Sequence, residues 1–443
     1  MSHKAIIVTD LGFGDAGKGT IIDALARRGN VSAVVRYNGG GQAAHNVVSP
    51  EGVHTTYAQF GSGTFVKGVR THLSRFMLID PITLRNEAEH LEHLGCGNVF
   101  ARLSVDEEAL VVSPFHKATN RICERLRGKG AHGSCGMGIG ETMAHALEYP
   151  SDALYMRDLR HEDRLMAKLA RIQEVKRLEV LAVDPRAYPD IAQEFELLLD
   201  SEMPRRIARA YRSIAMRFLI TDSNYLSRLA EQGDLLFEGA QGVMLDEWYG
   251  FHPYTTWSTT TSENALTLLS DIAFAGNVER IGILRAYHTR HGAGPFVTED
   301  EMLTNLLPES HNGTGKWQGG FRVGWFDMVA AHYALTVNGG VDSLAITNLD
   351  RFTQVKDRKM CLAYVSETGK RISRLPMKSE RANLVVQEEL TKLVAGCSPV
   401  YEPAPENNEQ YLEALEEALN VPISITSHGP SALDKCFKTR NAN

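Results

Sequence analysis

One short turn carries both a carboxylate and a lysine among glycines: Gly12-Phe13-Gly14-Asp15-Ala16-Gly17-Lys18-Gly19-Thr20. Small residues let backbone N–H groups converge on phosphate oxygens, and a following helix would add the positive end of its dipole. Lys18 would place a point charge beside a transferring phosphoryl group. The turn is shorter than the GxxxxGK[ST] pattern, so it reads as a variant phosphate loop, with Gly14, Gly17, Lys18, Gly19 and Thr20 around the phosphates. Asp15 adds information, because a carboxylate inside an anion cradle repels phosphate unless it holds a metal or exchanges a proton. It is expected to do both, facing Mg²⁺ with one oxygen while removing a proton from an acceptor. The plain alternative is a local Asx turn.

A second glycine-rich stretch, Arg36 to His45, reads RYNGGGQAAH. Gly39, Gly40 and Gly41 allow close backbone approach, Asn38 and Gln42 offer amides, and His45 closes the loop. An imidazole beside a phosphoryl group can donate to an oxygen on which charge develops. A structural or surface histidine is the alternative.

These loops need strands to launch them. AIIVT, Ala5 to Thr9, reads as a buried strand, TIIDALARRG as a helix ending at Gly29, and VSAVVRY as a second strand. LLFEGAQGVMLD, VERIGILRAYHTRHGAGPF and DSLAITNLD repeat the pattern of an apolar strand with a polar or glycine-rich exit. ENALTLLSDIAFAG and WFDMVAAHYALTVNGG read as helices covering the sheet, and residues 162–229 as mostly helical. The expected fold is α/β, a large mostly parallel central sheet flanked by helices, with the variant phosphate-binding loop after the first strand. One domain over 1–443 is expected, with helical excursions over about 113–230 and a C-terminal region, about 350–443, completing the nucleotide site.

Composition narrows the class of function. A charge of -7, from 47 basic and 54 acidic residues, gives no broad surface for nucleic acid. No apolar run is long enough to span a bilayer and the start lacks a secretory layout, so a cytoplasmic protein is expected. The six cysteines are widely spaced, which fits reduced thiols. The histidines form no compact zinc pattern.

In this order along the chain, GDAGKG, VVRYNGG leading to His45, GMGIG, LFEGAQGVMLD, PYTTWSTTT, AYHTRHGAGPF, RVGWFD, AITNLD and SHGP resemble the adenylosuccinate synthetase family over most of the length. The resemblance implies a homodimer that uses GTP and Mg²⁺ to phosphorylate the 6-oxygen of inosine monophosphate, after which aspartate's amine displaces phosphate. It implies Asp15 as the base and a Mg²⁺ ligand, the Ala44 carbonyl as another, His45 as the group assisting transfer, and Lys18 as the phosphate-loop lysine. Asn348, Asp350, Ser427 and Gly429 are implied at GTP, with Asp350 reading the guanine N–H groups. Asn38, Gln42, Ser134, Cys135, Gln241, Thr256 and Arg290 are implied at the substrate nucleotide, and Lys316, Gly320 and Arg322 at the amine.

Several positions depart from that pattern. KWQGGFRVGW, Lys316 to Trp325, keeps only Arg322 of the family's arginines for a dicarboxylate amine. Cys135 replaces a threonine that contacts the substrate phosphate, Met137 replaces an arginine, and Tyr149 falls where an intersubunit arginine would be. Ala16 replaces the loop glutamate, and Asn348 a lysine. The chain reads either as a divergent member with displaced cationic contacts, or as a paralogue that applies the same activation to another amine or purine. A kinase stopping after phosphoryl transfer and a non-catalytic nucleotide sensor are the readings from other classes.

Overall fold

The structure is a computed structural model and describes residues 3–128, 134–309, 320–377 and 383–438. Lys316 and Trp317 fall outside these residues.

Ten strands make the central sheet: β1 (Lys4–Asp10), β2 (Val31–Arg36), β3 (Arg70–Leu73), β4 (Leu103–Asp106), β5 (Leu219–Thr221), β6 (Asp234–Glu238), β7 (Asn277–Arg285), β8 (Ser343–Thr347), β9 (Ile423–Ser427) and β10 (Lys435–Phe437). Their spatial order is β10-β9-β8-β7-β1-β6-β2-β3-β4-β5, parallel throughout except for the antiparallel β9–β10 pair. The expected α/β architecture is the observed one. β1 lies inside the sheet, with Val8 in register with Glu238 on one side and Ile281 on the other. Its near-continuous apolar sequence follows, since a parallel strand with both faces covered buries every side chain. Parallel neighbours also leave the sheet at the same edge, so the loops after β1, β2, β6, β7, β8 and β9 gather there.

Helix α1 (Lys18–Arg28) starts directly from the first loop. Its N-cap, Gly17, is left-handed at φ 92 and supplies no side-chain cap, so the first-turn N–H groups stay available to an anion. Ile21, Ile22 and Ala26 pack on Ile6 and Val8, each isoleucine worth about 2 kcal/mol of burial. Arg27 and Arg28 favour the C-terminal end of the dipole, and Gly29 ends the helix as its sequence indicates.

The helical excursion runs through Pro114–Arg127, Ile139–Glu148, Glu162–Glu179, Ala192–Leu199 and Met203–Ala215. Its apolar faces (Phe115, Ile122, Leu165, Leu169, Tyr211) share one cluster with Leu73, Leu103 and Val105 of the sheet. β5 was not foreseen inside this helical stretch, because three residues are too few to show alternation. A smaller sheet forms where Lys359–Val365 pairs with Phe326–Asp327, Arg371–Ile372 and Ser398–Pro403. Among the described residues no helix is long and apolar enough to cross a membrane.

Candidate functional site

Asp10, at the end of β1, folds the first loop back on itself. Its carboxylate accepts from Gly12 N at 2.9 Å, Ala16 N at 3.0 Å and Lys18 Nζ at 2.8 Å. Lys18 is buried and also donates to the Gln241 carbonyl at 2.7 Å. One of its three donors is left for a phosphate oxygen. Asp10 escaped the sequence reading, although an acidic residue closing an apolar strand before a glycine turn is itself a signal.

Asp15 occupies the left-handed region at φ 58, as does Gln241 at φ 57 across the cavity. Such conformations cost about 1 kcal/mol or more for residues with a side chain and concentrate at functional sites. Gly242 permits the approach of the two loops, since a Cβ there would sit 2.3 Å from Gly12 O. Burial raises the Asp15 pKa above the usual carboxylate range, opposed by Arg285 and Lys18. Arg285 turns its guanidinium elsewhere, to the Asp15 carbonyl at 2.7 Å and Glu309 at 2.7 Å. Asp15 lines the cavity, and burial makes its carboxylate a stronger base than that of an exposed aspartate.

His45 opens the strand His45–Val48, which pairs with His54–Tyr57, and it packs on the first loop. A Cβ on Gly19 would lie 3.0 Å from the His45 Cβ. Behind the imidazole, Nδ1 meets Glu238 Oε1 at 2.6 Å, and Glu238 also accepts from the Ser62 hydroxyl and, at 2.9 Å, from Ser62 N. Burial, followed by Arg36, lowers the His45 pKa to about 4. Burial opposes the Glu238 charge, but Arg36, His45 and Ser62 outweigh it and hold its pKa at about 2. The pair is thus a neutral imidazole donating Nδ1–H to a carboxylate, with Nε2 free to act. An anionic group against Nε2 would favour protonation there, and Glu238 would stabilise the resulting cation. Glu238 was read only as part of a strand. Strand register, which sequence does not reveal, brings it to His45.

Unpaired amides stand on the cavity wall that these groups share. Gln241 Oε1 and both polar atoms of Gln42 are buried without partners, as is His291 Nε2. A Cβ on Gly39 would stand 3.5 Å from Gln241 Oε1 and 3.6 Å from Gln42 Nε2, so the two amides converge over that glycine. Buried polar atoms left unsatisfied carry a cost that a bound ligand would remove.

A single cavity of about 1560 Å³ joins Gly14, Asp15, Gly17, Lys18, Gly19, Thr20, Gln42, Ala44, His45, Gln241, Thr256 and Arg290. It continues to Asn348, Asp350, Ser427 and Gly429 on one side of β1 and to Ser134 and Cys135 on the other. Thr20 Oγ1 donates to Pro430 O at 2.7 Å and ties α1 to the C-terminal loop. Asn348 is left-handed at φ 59, which asparagine tolerates, and Asp350 is exposed on the short helix Leu349–Phe352.

Three expected contact residues are placed differently. Asn38 is fully buried off the cavity wall, where its amide exchanges hydrogen bonds with Ala240 N and O at 2.7 and 3.1 Å and so positions Gln241. Arg322 is not on the wall either: its fork donates to Gly292 O at 2.6 Å and Gly294 O at 3.0 Å and pairs with Glu299 at 2.8 Å. Gly320 accepts from Gly292 N at 3.1 Å and also lies away from the cavity, while Lys316 is outside the described residues. Arg290 lines the cavity but braces its own loop, donating to Ala293 O at 3.0 Å and Pro295 O at 2.7 Å with its guanidinium 4.3 Å over Phe13.

Among the described residues no three histidine, cysteine or acidic side chains group to hold a metal. Mg²⁺ requires less, one or two carboxylate or carbonyl oxygens beside substrate phosphates. The Asp15 carboxylate and the Ala44 main chain, both on the cavity wall, fit that chemistry.

Known proteins match this chain in sequence and fold. The adenylosuccinate synthetase family model matches residues 7–435. Adenylosuccinate synthetases of Neisseria meningitidis serogroup B and Pseudomonas entomophila are each 30% identical, over 96% of both chains. Among solved structures, a fully ligated adenylosuccinate synthetase from Plasmodium falciparum superposes with a TM-score of 0.79 at 22% identity, covering 99% of this chain and 100% of that one. A cyanophage S-2L succinoaminodeoxyadenylate synthetase bound to dGMP, with dATP as energy donor, gives 0.62 at 16% identity, covering 99% and 96%. With matching sequence along nearly its whole length, the chain belongs to the adenylosuccinate synthetase family of GTP-dependent nucleotide C–N ligases.

Proposed function

We propose that the protein uses GTP to phosphorylate the 6-oxo group of a purine and then replaces that phosphate with an amine, inosine monophosphate and aspartate being the family's standard pair. The observation that carries this reading is that Asp15, Gln241, Gln42 and His45 line one cavity beside the first glycine loop, with the two glutamine amides unpartnered. A kinase has no need to weaken its own product. A carbonyl oxygen, by contrast, becomes a leaving group once phosphorylated.

Asp15 takes the N1 proton, which makes the 6-oxygen nucleophilic toward the γ-phosphorus. An oxygen–phosphorus bond forms there as the β–γ bridging bond breaks, and GDP leaves. His45, protonated at Nε2 in the field of the bound phosphates and held at Nδ1 by Glu238, donates to the transferring phosphoryl group, and Lys18 offers its remaining proton to the same charge. The amine nitrogen then bonds to C6, phosphate departs with the 6-oxygen, and the amine loses a proton. Mg²⁺, which Asp15 and the Ala44 carbonyl would hold, supplies neutralisation of charge on the phosphates. Asp350 accepts two N–H bonds from guanine, which adenine cannot offer in that form.

A second reading, of a different amine, has its own support. Arg322 spends its fork on Gly292, Gly294 and Glu299, and no other arginine of this loop is available for a dicarboxylate. Family membership supports a homodimer, which light scattering would check, and a cytoplasmic, single-domain enzyme. The reaction is tested by phosphate release from GTP across purines and amines, with mass detection of product. Release that needs both purine and amine is expected, whereas a stable phosphorylated purine in the absence of amine would favour a kinase.

A further inference from the structure

The far arm of the cavity runs from Asp15 across β8 and β9 to Asp350 and Ser427, and it takes the GTP base in the proposed reaction. One turn closes it. Ser427, Gly429 and Pro430 stand on the wall there, where the chain passes from β9 to β10, an antiparallel pair with Ser427 and Lys435 in register.

Three successive carbonyls of this turn are each claimed by a side chain. Lys435 Nζ donates to Gly429 O at 2.6 Å and to Ser431 O at 2.8 Å, straddling Pro430. The Pro430 carbonyl accepts from Thr20 Oγ1 at 2.7 Å. Lys435 is buried and stands behind the turn, off the cavity wall. Asp434 completes the frame, its carboxylate accepting from Ser431 N at 2.8 Å and its carbonyl from His428 N at 2.9 Å. A Cβ on Gly429 would lie 2.6 Å from Asp434 Oδ2, so only glycine allows this closure. Toward the phosphates the turn is fastened by other parts: α1 through Thr20, and the His45–Val48 strand through a bridge between Val48 and Ser431.

Taking an ammonium out of water is costly, and here it is compensated by charge-assisted hydrogen bonds to the two carbonyls. Asp434 from the turn, Asp350 from the helix Leu349–Phe352 and Asp23 from α1 face Lys435, but burial outweighs them and lowers its pKa to about 8. His428, also in the turn, bonds Thr426 Oγ1 at 3.2 Å. We propose that Lys435 is a positioning residue for the nucleotide, its charge fixing the Gly429–Ser431 turn in the shape that guanine meets. This rests on the proposed placement of GTP in the far arm and adds a control on its affinity. The clamp holds while the ammonium keeps its proton and loosens as the proton is lost.

The test reads GTP affinity by calorimetry and GTP KM by steady-state kinetics on the full-length protein with Mg²⁺, from about pH 7 to about pH 9.5. Lys435→Met lacks the charge at every pH, so at neutral pH its Kd and KM should stand about tenfold above wild type. Its kcat should stay within about threefold, because Thr20 and Val48 still fasten the phosphate side. As pH passes about 8 the wild type should weaken toward the variant, and the ratio between them should fall toward one. The titration of guanine itself is common to both and cancels in that ratio. Lys435→Arg keeps a cation that holds its proton throughout, so it should lose less affinity than wild type over the same range. It carries the test where the methionine variant does not fold. A methionine variant within twofold of wild type in GTP affinity, a ratio flat with pH, or an arginine variant that weakens as wild type does would each overturn the proposal. GTP binding that responds to Lys435 without amine-dependent turnover would leave the proposal standing and remove the ligase reaction. No GTP binding by the wild type would remove both.

Discussion

The two ends of the cavity are built from similar sequence and behave oppositely. Around Gly12–Thr20 a glycine-rich turn leads into a helix, and around Ser134–Gly140 another does the same. Both helices start from a left-handed glycine without a side-chain cap, but at the first Lys18 keeps a donor free, and Gln42 and Gln241 line the cavity beside Asp15 with unspent hydrogen-bonding capacity. At the second, Glu124, Ser134 and Asn120 accept from the amides of Ser134, Gly136 and Gly138, and a glutamate sits in the first helical turn. A glycine turn before a helix is thus permission to bind an anion. Whether it does depends on what else competes for its N–H groups.

Breaking the first end should have the largest effect. Asp15→Asn removes the proton acceptor and leaves the phosphate cradle, so amine transfer should fall by about 10³-fold while GTP affinity stays within a few-fold. Steady-state kinetics beside nucleotide titration would read both, and near-normal turnover would remove Asp15 from its role.

Glu238→Gln probes the second layer of the same end. Loss of the negative charge beside Nδ1 should reduce kcat by about 10²-fold with little change in GTP KM, because Glu238 touches no substrate. The pH profile should change shape too, since an imidazolium at His45 then lacks its counter-charge. An unchanged kcat would make the pair structural only.

Asp350→Asn addresses the far arm, where the effect is confined to nucleotide recognition. An asparagine cannot accept both guanine N–H groups, so KM for GTP should rise about tenfold with kcat nearly held. Unaltered preference between GTP and ITP would argue against guanine reading.

The smallest effect concerns stability and separates the site from its scaffold. His72, on β3, is fully buried against Ser104 at 3.0 Å, and burial lowers its pKa to about 4. In the unfolded chain it takes up a proton near pH 6.5, so between that value and about 4 the unfolded state binds more protons. Stability from this residue is therefore present above pH 6.5 and drains as pH falls, by about 1.4 kcal/mol per unit. His72→Gln should flatten that part of the Tm–pH curve without altering the pH dependence of activity.

Legibility in the sequence followed the range of the interactions involved. β1, α1, β2, β6 and β8 announced themselves because each is a local apolar pattern ended by glycine or polar residues, and their exits carried Asp15, Lys18, Gln241 and Asp350. Contacts made across the sheet did not. Glu238 beside His45, Asp10 around the loop, and Asn38 bracing Ala240 all depend on register or on long-range folding of a turn. Arg322 misled for the same reason: a surviving arginine in a binding segment says nothing about the carbonyls of Gly292 and Gly294 that claim it.

The central claim is that a phosphoryl group passes to an oxygen held between Asp15 and His45, and isotope tracing tests it most directly. A 6-oxopurine acceptor labelled with ¹⁸O at position 6 would be turned over with GTP and the responding amine, and the released phosphate analysed by mass. One labelled oxygen per phosphate is expected, because the acceptor's own oxygen leaves bonded to phosphorus. Unlabelled phosphate, with the label retained on the purine or lost to water, would contradict the account.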